Sequence, residues 1–340
     1  MVRMKQIHNP PNPYESHHRE WLGTAPTVKL QIFEDDTRSI LSRNESPDVS
    51  FRWSVNPYRG CFHACAYCYA RPSHEYLGFG AGTDFESKLV VKRDAPMLLR
   101  QAFLKPSWQG EVVVFSGNTD CYQPLEAAWG LTRACLEVCA EFRNPVAIIT
   151  KAALILRDLD VLRQLTEVAT LTVNISVPFA DNEMARNVEP QAPSITKRLL
   201  TIKTLAEAGI RTAVSLAPVI PGLNDDQMME ILQSARQAGA QDAFYSLVRL
   251  SGSVEPVFLE RMAAFYPDRI QKITHRLREV RGGMLNRTTF FERHMGKGPY
   301  AAMLEDLFMV SKRKAGFPEI SEKPARETFQ RPIPQQVSLF

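Results

Sequence analysis

Between residues 111 and 250 one pattern repeats: a short, almost unbroken apolar run, then a longer segment with apolar residues at three-to-four spacing. The runs are EVVVFSG (111–117), PVAIIT (145–150), TLTVNISV (170–177), IRTAVSLAPVI (210–220) and DAFYSLVRL (242–250). Their β-branched content and weak alternation fit strands buried on both faces. The segments between them read as helices. PLEAAWGLTRACLEVCAE (124–141) begins at Pro124, SITKRLLTIKTLAEAG closes at Gly209, and DDQMMEILQSARQAG closes at Gly239. ALILRDLDVLRQLTEV is the helix between the second and third runs. VSFRWSVN (49–56) supplies one more strand ahead of these. Strands alternating with helices imply a parallel sheet covered by helices. With no G-x-G-x-x-G turn, the pattern predicts an α/β fold, an open, partial (β/α)6 TIM-like barrel over residues 51–253.

The flanks differ in character. Residues 1–50 are polar, with prolines at 10, 11 and 13, and read as an N-terminal arm. Residues 254–316 read as a C-terminal helical extension carrying Arg276, Arg278, Arg281, Arg287 and Arg293. Residues 317–340 are proline-spotted and polar, the pattern of a flexible tail. With 41 basic against 37 acidic residues, the net charge of +4 permits a nucleic-acid partner without announcing one. The N-terminus lacks the apolar run of a secretory signal, and no uncharged apolar stretch approaches the ~20 residues of a membrane helix. The expected location is the cytoplasm, away from membranes.

Six cysteines in 340 residues are too few for a disulfide scaffold, and half of them fall in GCFHACAYCYA at residues 60–70. Cys61, Cys65 and Cys68 form C-x3-C-x2-C on the loop after the first strand, where a barrel of this type builds its active site. Thiolates select zinc or iron–sulfur clusters. Zinc would call for a fourth ligand, with His63 and His74 nearby, but no second C-x2-C pair follows. Three thiolates on one tight loop suit three irons of a 4Fe–4S cluster, with the fourth iron open.

This loop, with Tyr67 just before its last cysteine, resembles the signature of the radical S-adenosylmethionine (radical SAM) superfamily. The likeness extends through TDCYQPLE (119–126), ITKAALILRDLD (149–160), NISVPFAD (174–181) and PVIPGLND (218–225), which resemble the spore photoproduct lyase-like branch. The resemblance implies a 4Fe–4S cluster on Cys61, Cys65 and Cys68 whose open iron chelates S-adenosylmethionine. Reductive cleavage of that cofactor gives methionine and a 5′-deoxyadenosyl radical. It also implies an electron donor such as flavodoxin or ferredoxin, and a DNA lesion as substrate. Radical modification of RNA, protein or a metabolite, and a non-catalytic metal-binding module, are the alternatives.

By the same resemblance, the cofactor-binding set is Tyr67, Asp120, Lys151, Ser176 and Ala217. Asp120, in FSGNTD, stands where the superfamily often has G-G-E. Lys151 matches a lysine that pairs with the cofactor carboxylate, Ser176 a polar contact, and Ala217 with Pro218 the backbone that meets adenine. Lys151 as a solvent-reaching strand cap, and Ser176 as a local backbone partner, are the structural alternatives. Asp181 reads as a helix N-cap. Spore photoproduct lyase uses a cysteine in this region as hydrogen-atom donor. That cysteine aligns near Gly117, so Cys121 is the nearby thiol available, as a catalytic donor or as an inert buried cysteine. Cys135 and Cys139 share one face of a helix and read as small buried hydrophobes.

The chain ends PIPQQVSLF. Gln336, Ser338, Leu339 and Phe340 resemble the pentapeptide that docks on bacterial DNA-polymerase sliding clamps. The alternative is a tail whose last apolar residues pack on the barrel.

Overall fold

The computed structural model describes residues 29–318 and 327–332. The strands are β1 (Gln31–Glu34), β2 (Leu41–Arg43), β3 (Trp53–Val55), β4 (Tyr58–Arg59), β5 (Lys88–Val91), β6 (Val113–Phe115), β7 (Val146–Thr150), β8 (Leu171–Ser176), β9 (Thr212–Val219) and β10 (Asp242–Leu247). Seven of them form one sheet in the order β10-β9-β8-β7-β6-β3-β2, with β2 antiparallel to β3 and every other pair parallel. The six parallel strands are the six predicted runs. β10 and β2 are the open edges, so the expected partial (β/α)6 barrel is the observed fold.

Register places the strand ends side by side. Val55 pairs with Phe115, Phe115 with Ile148, Thr150 with Ile175, and Ser176 with Ser215. Whatever follows these residues is therefore gathered at one edge. The apolar runs are buried: Val55, Phe115, Ile148, Val173, Ile175 and Val214 are 0% exposed. Asp181 caps the helix Asn182–Val188 by accepting the Met184 N–H at 2.7 Å, as its sequence position predicts. Ser194 does the same for the helix Ile195–Glu207.

Three expectations change. First, the segment 124–141 is two helices, Leu125–Trp129 and Leu131–Glu141, broken at Gly130 with φ +63°. The cause is Glu126. Its buried carboxylate accepts the N–H groups of Thr132 and Arg133 at the start of the second helix, together with the Tyr58 hydroxyl at 2.5 Å.

Second, the expected arm belongs to the fold from residue 31 onward. β1 pairs with β5 in a three-stranded sheet, and β2 extends the main sheet.

Third, part of the expected flexible tail is packed. Phe329 stacks on Phe142, the Gln330 N–H bonds the Phe142 carbonyl at 2.9 Å, and Arg331 bonds the carbonyls of Lys105 and Trp108. These partners precede β6 and β7, so the tail docks where the strands begin. Gln336, Ser338, Leu339 and Phe340 lie outside the described residues. The extension comprises the helices Val254–Phe265, Ile270–Val280, Glu292–Met295 and Pro299–Lys314. Among the described residues, no helix is long and apolar enough to cross a membrane.

Candidate active site

The cysteine loop leaves β4 through Gly60, whose φ of +72° favours glycine. A Cβ there would also stand 2.8–2.9 Å from the His74 ring, the Phe85 carbonyl and Leu89. The loop is then pinned by its backbone. The Cys61 N–H bonds the Phe85 carbonyl at 3.0 Å, and the Ala66 N–H bonds the Val188 carbonyl at 3.0 Å. Ala64 turns through a left-handed φ of +58°. Beneath it lies Arg71, fully buried. Its guanidinium donates to the carbonyls of Ala64, Cys65, Ala81 and Gly82 at 2.8–3.2 Å, and to Glu86 at 3.2 Å. Arg71 thus supplies the donors that a tight loop of this kind cannot supply to itself.

All three loop cysteines are free thiols, Cys61 and Cys65 buried and Cys68 partly so. Burial pushes the Cys65 thiol well above its ordinary pKa and Cys68 above it. At Cys61 burial acts in the same direction, but the His63 imidazole beside it overrides this and the thiol ends lower. His63 is itself enclosed. Burial pulls its pKa down, and the negative charges of Cys61 and Asp120 push it up to about 10.

Asp120 ties this loop to the strand ends. Its Oδ1 accepts from the Thr150 hydroxyl at 2.6 Å and the Tyr122 N–H at 2.9 Å. Its Oδ2 accepts from the Lys151 N–H at 2.8 Å and lies 3.4 Å from His63 Nδ1. Burial raises its pKa, and these partners together hold it well below the carboxylate range. Both oxygens are engaged within the protein.

Tyr67 and Lys151 converge on a residue that the sequence does not mark, and Ser176 is joined to it through Arg198. Glu189, fully buried, accepts the Tyr67 hydroxyl on one oxygen and Arg198 on the other. Lys151 Nζ lies 3.8 Å from the first oxygen and 5.7 Å from the Tyr67 ring. Arg198 also donates to the Ser176 carbonyl at 3.1 Å. Glu189 and Arg198 sit on the connection after β8, in a stretch (EPQAPSITKR) that carries no motif. Only the fold brings them under the cysteine loop. Burial lowers the Lys151 pKa, and Cys65 with Glu189 raises it above its usual value. An ammonium so held is charged and positioned.

Ala217 lies on β9 next to Pro218, with a cis peptide between them. The following PGLND turn is built by Asn224, which bonds the Pro178 and Pro218 carbonyls and the Ile220 N–H. Cys121 is 0% exposed and packed in the apolar core, with its N–H on the Ser116 hydroxyl at 2.8 Å. Burial pushes its thiol well above the ordinary pKa, with Asp120 adding to the effect. At Gly117 a Cβ would meet Ser54 at 2.8 Å, so a cysteine there would collide. Cys135 and Cys139 are fully buried, as small hydrophobes.

The donor set suits a cluster with an open iron. Three thiols share one loop, an organised cation stands beside them, and His63 faces Asp120. Among the described residues, no three His, Cys, Asp or Glu side chains converge on a single metal ion.

A partial barrel with this loop at its strand-end edge defines a class of radical enzyme, and the comparisons agree. The profile of the radical SAM superfamily matches residues 55–235. An uncharacterized protein of Mycobacterium tuberculosis is 36% identical over 260 residues, covering 74% of this chain and 76% of its own. One of Methanocaldococcus jannaschii is 27% identical, covering 73% and 88%. Among solved structures, spore photoproduct lyase with bound S-adenosylmethionine and dinucleoside spore photoproduct superposes with a TM-score of 0.62. It is 14% identical and covers 88% of this chain and 85% of its own, a likeness of fold. The chain belongs to the radical SAM superfamily, whose members use a 4Fe–4S cluster and S-adenosylmethionine.

Proposed function

We propose that this radical SAM enzyme acts on a lesion in DNA, in the manner of a lyase. The observation that carries the reading is the rim beside the cysteine loop. Tyr69, directly after Cys68, is 52% exposed, and its hydroxyl donates to the Gly117 carbonyl at 2.8 Å. Arg249, just beyond β10, lies over its ring at 5.9 Å. Phe290 and Phe291, 48% and 60% exposed, stand on a turn held by Asp48, which accepts from the Phe291 N–H and the Arg293 guanidinium. Exposed aromatics beside cations are what unstacked bases and phosphates bind. The fold shared with spore photoproduct lyase supports the same reading.

When bound, the cluster and S-adenosylmethionine supply a 5′-deoxyadenosyl radical for hydrogen abstraction. Lys151 would hold the cofactor carboxylate through its ammonium. Tyr67 and Glu189 keep Lys151 in place, Ser176 would contribute a strand-end polar contact to the cofactor, and the Ala217 backbone would meet its adenine. Asp120 acts through the His63 side chain and the Lys151 backbone that it holds. Cys121 is the proposed hydrogen-atom donor, supported by a thiol that burial keeps protonated. Because the sulfur is enclosed, transfer requires a carrier, and Tyr69, the exposed phenol of the loop, and Tyr122, next to Cys121 in the chain, are the two candidates. A low-potential flavodoxin or ferredoxin supplies the electron in the cytoplasm.

The terminal Gln336–Phe340 segment serves as a sliding-clamp peptide. The support is the match of Gln336, Ser338, Leu339 and Phe340 to that peptide. Incubating the reconstituted enzyme with ultraviolet-irradiated and undamaged DNA tests the substrate. Product from irradiated DNA alone is expected, and identical traces with both reject the lesion reading.

A further inference from the structure

Arg261 lies on the helix Val254–Phe265, behind the cysteine loop. Two contacts place it there. The hydroxyl of Ser253, at the start of that helix, bonds Glu75 in the turn after the cysteines. The helix Asn182–Val188, whose last residue accepts the Ala66 N–H, packs against the same helix.

The Arg261 side chain is 5% exposed, and its Nε has no hydrogen-bond partner. Among the described residues it forms no ion pair, and the Phe265 ring at 5.1 Å is its one close aromatic contact. Its charged neighbours are Glu86, Arg71, Glu260 and Cys65. Glu86 is already bonded to Arg71, and among the described residues neither it nor Glu260 pairs with Arg261. An unpaired buried charge destabilises a fold, and a methionine of similar length would avoid that cost. The arrangement becomes favourable when negative charge arrives nearby. A 4Fe–4S core held by three thiolates is anionic, and one-electron reduction makes it more so.

We propose that Arg261 is a countercharge for the cluster held by Cys61, Cys65 and Cys68, placed to favour its reduced state. This rests on the cofactor reading above. Arg261 makes no hydrogen bond to the loop, unlike Arg71, so its charge can be removed without removing loop geometry.

The test compares wild-type, Arg261→Met and Arg261→Lys chains, each reconstituted anaerobically with iron and sulfide. Thermal unfolding of the unloaded chains is measured first, then iron content, then the midpoint potential by dithionite titration followed by electron paramagnetic resonance. Arg261→Met should be at least as stable as wild type when unloaded, load the same iron, and show a more negative midpoint potential. Arg261→Lys should stay near the wild-type potential. An unchanged potential in loaded Arg261→Met overturns the countercharge role. Arg261→Met that unfolds or fails to load, while Arg261→Lys loads, assigns Arg261 to structure and overturns it equally. A wild-type chain that loads no cluster defeats the cofactor reading itself, and this inference with it.

Discussion

At the edge where the strands end, Arg71, Arg198, Glu189 and His63 are all buried and the Asp120 side chain is nearly so. At the edge where they begin, Phe103, Trp108, Phe142 and Phe329 pack ring against ring. The first edge is polar, satisfied by many specific bonds, and costly to leave half-made. The second is apolar and tolerant, because dispersion and burial need shape rather than particular partners. One sheet therefore carries its chemistry at one end and a large part of its stability at the other. Substitutions at the polar edge should cost cluster loading, and those at the apolar edge stability alone.

The largest effect belongs to Cys65→Ala. Iron loading and 5′-deoxyadenosine formation should both fall to background, measured by iron content and chromatography, with little change in the melting of the unloaded chain. Gly60→Ala comes next. The left-handed backbone and the contacts at 2.8–2.9 Å should cost about 1–3 kcal/mol in denaturant unfolding and reduce cluster loading. Phe329→Ala should remove about 2 kcal/mol, less than a fully buried phenylalanine, and leave cofactor cleavage unchanged. Cleavage that falls with Phe329→Ala would show that the two edges are coupled.

Much of this contrast could be read from the chain. Strand ends follow from the length of each apolar run, so Lys151 and Ser176 could be placed at the active edge without coordinates. The cysteine spacing located the loop. Glu189, Arg198, Arg71 and Arg261 could not be found this way, because their partners lie on other elements and no local period marks them. Glu189 and Tyr67 are 122 residues apart. The helix break at Gly130 escaped for the same reason, since the Glu126 carboxylate that caps the second helix also answers to Tyr58. β1 and β2 are short and exposed, without the burial that makes a strand visible.

The smallest expected effect is a pH dependence at the rim. Burial lowers the His294 pKa to about 4, with Arg249, Arg293 and Arg281 acting in the same direction and Asp48 opposing them. A histidine depressed from 6.5 contributes stability that is complete above pH 6.5 and lost as pH falls through about 4. His294→Gln should flatten the stability profile across that window. The effect should be modest because the side chain is 24% exposed.

The central claim is that the loop at the polar edge leaves one iron open for S-adenosylmethionine. The most direct test is the electron paramagnetic resonance spectrum of the reconstituted, dithionite-reduced protein, recorded before and after adding the cofactor. Coordination at the open iron predicts a changed signal in the wild-type chain, with the change lost or weakened in Lys151→Ala. A cluster signal that the cofactor leaves unaltered in the wild-type chain would contradict the account.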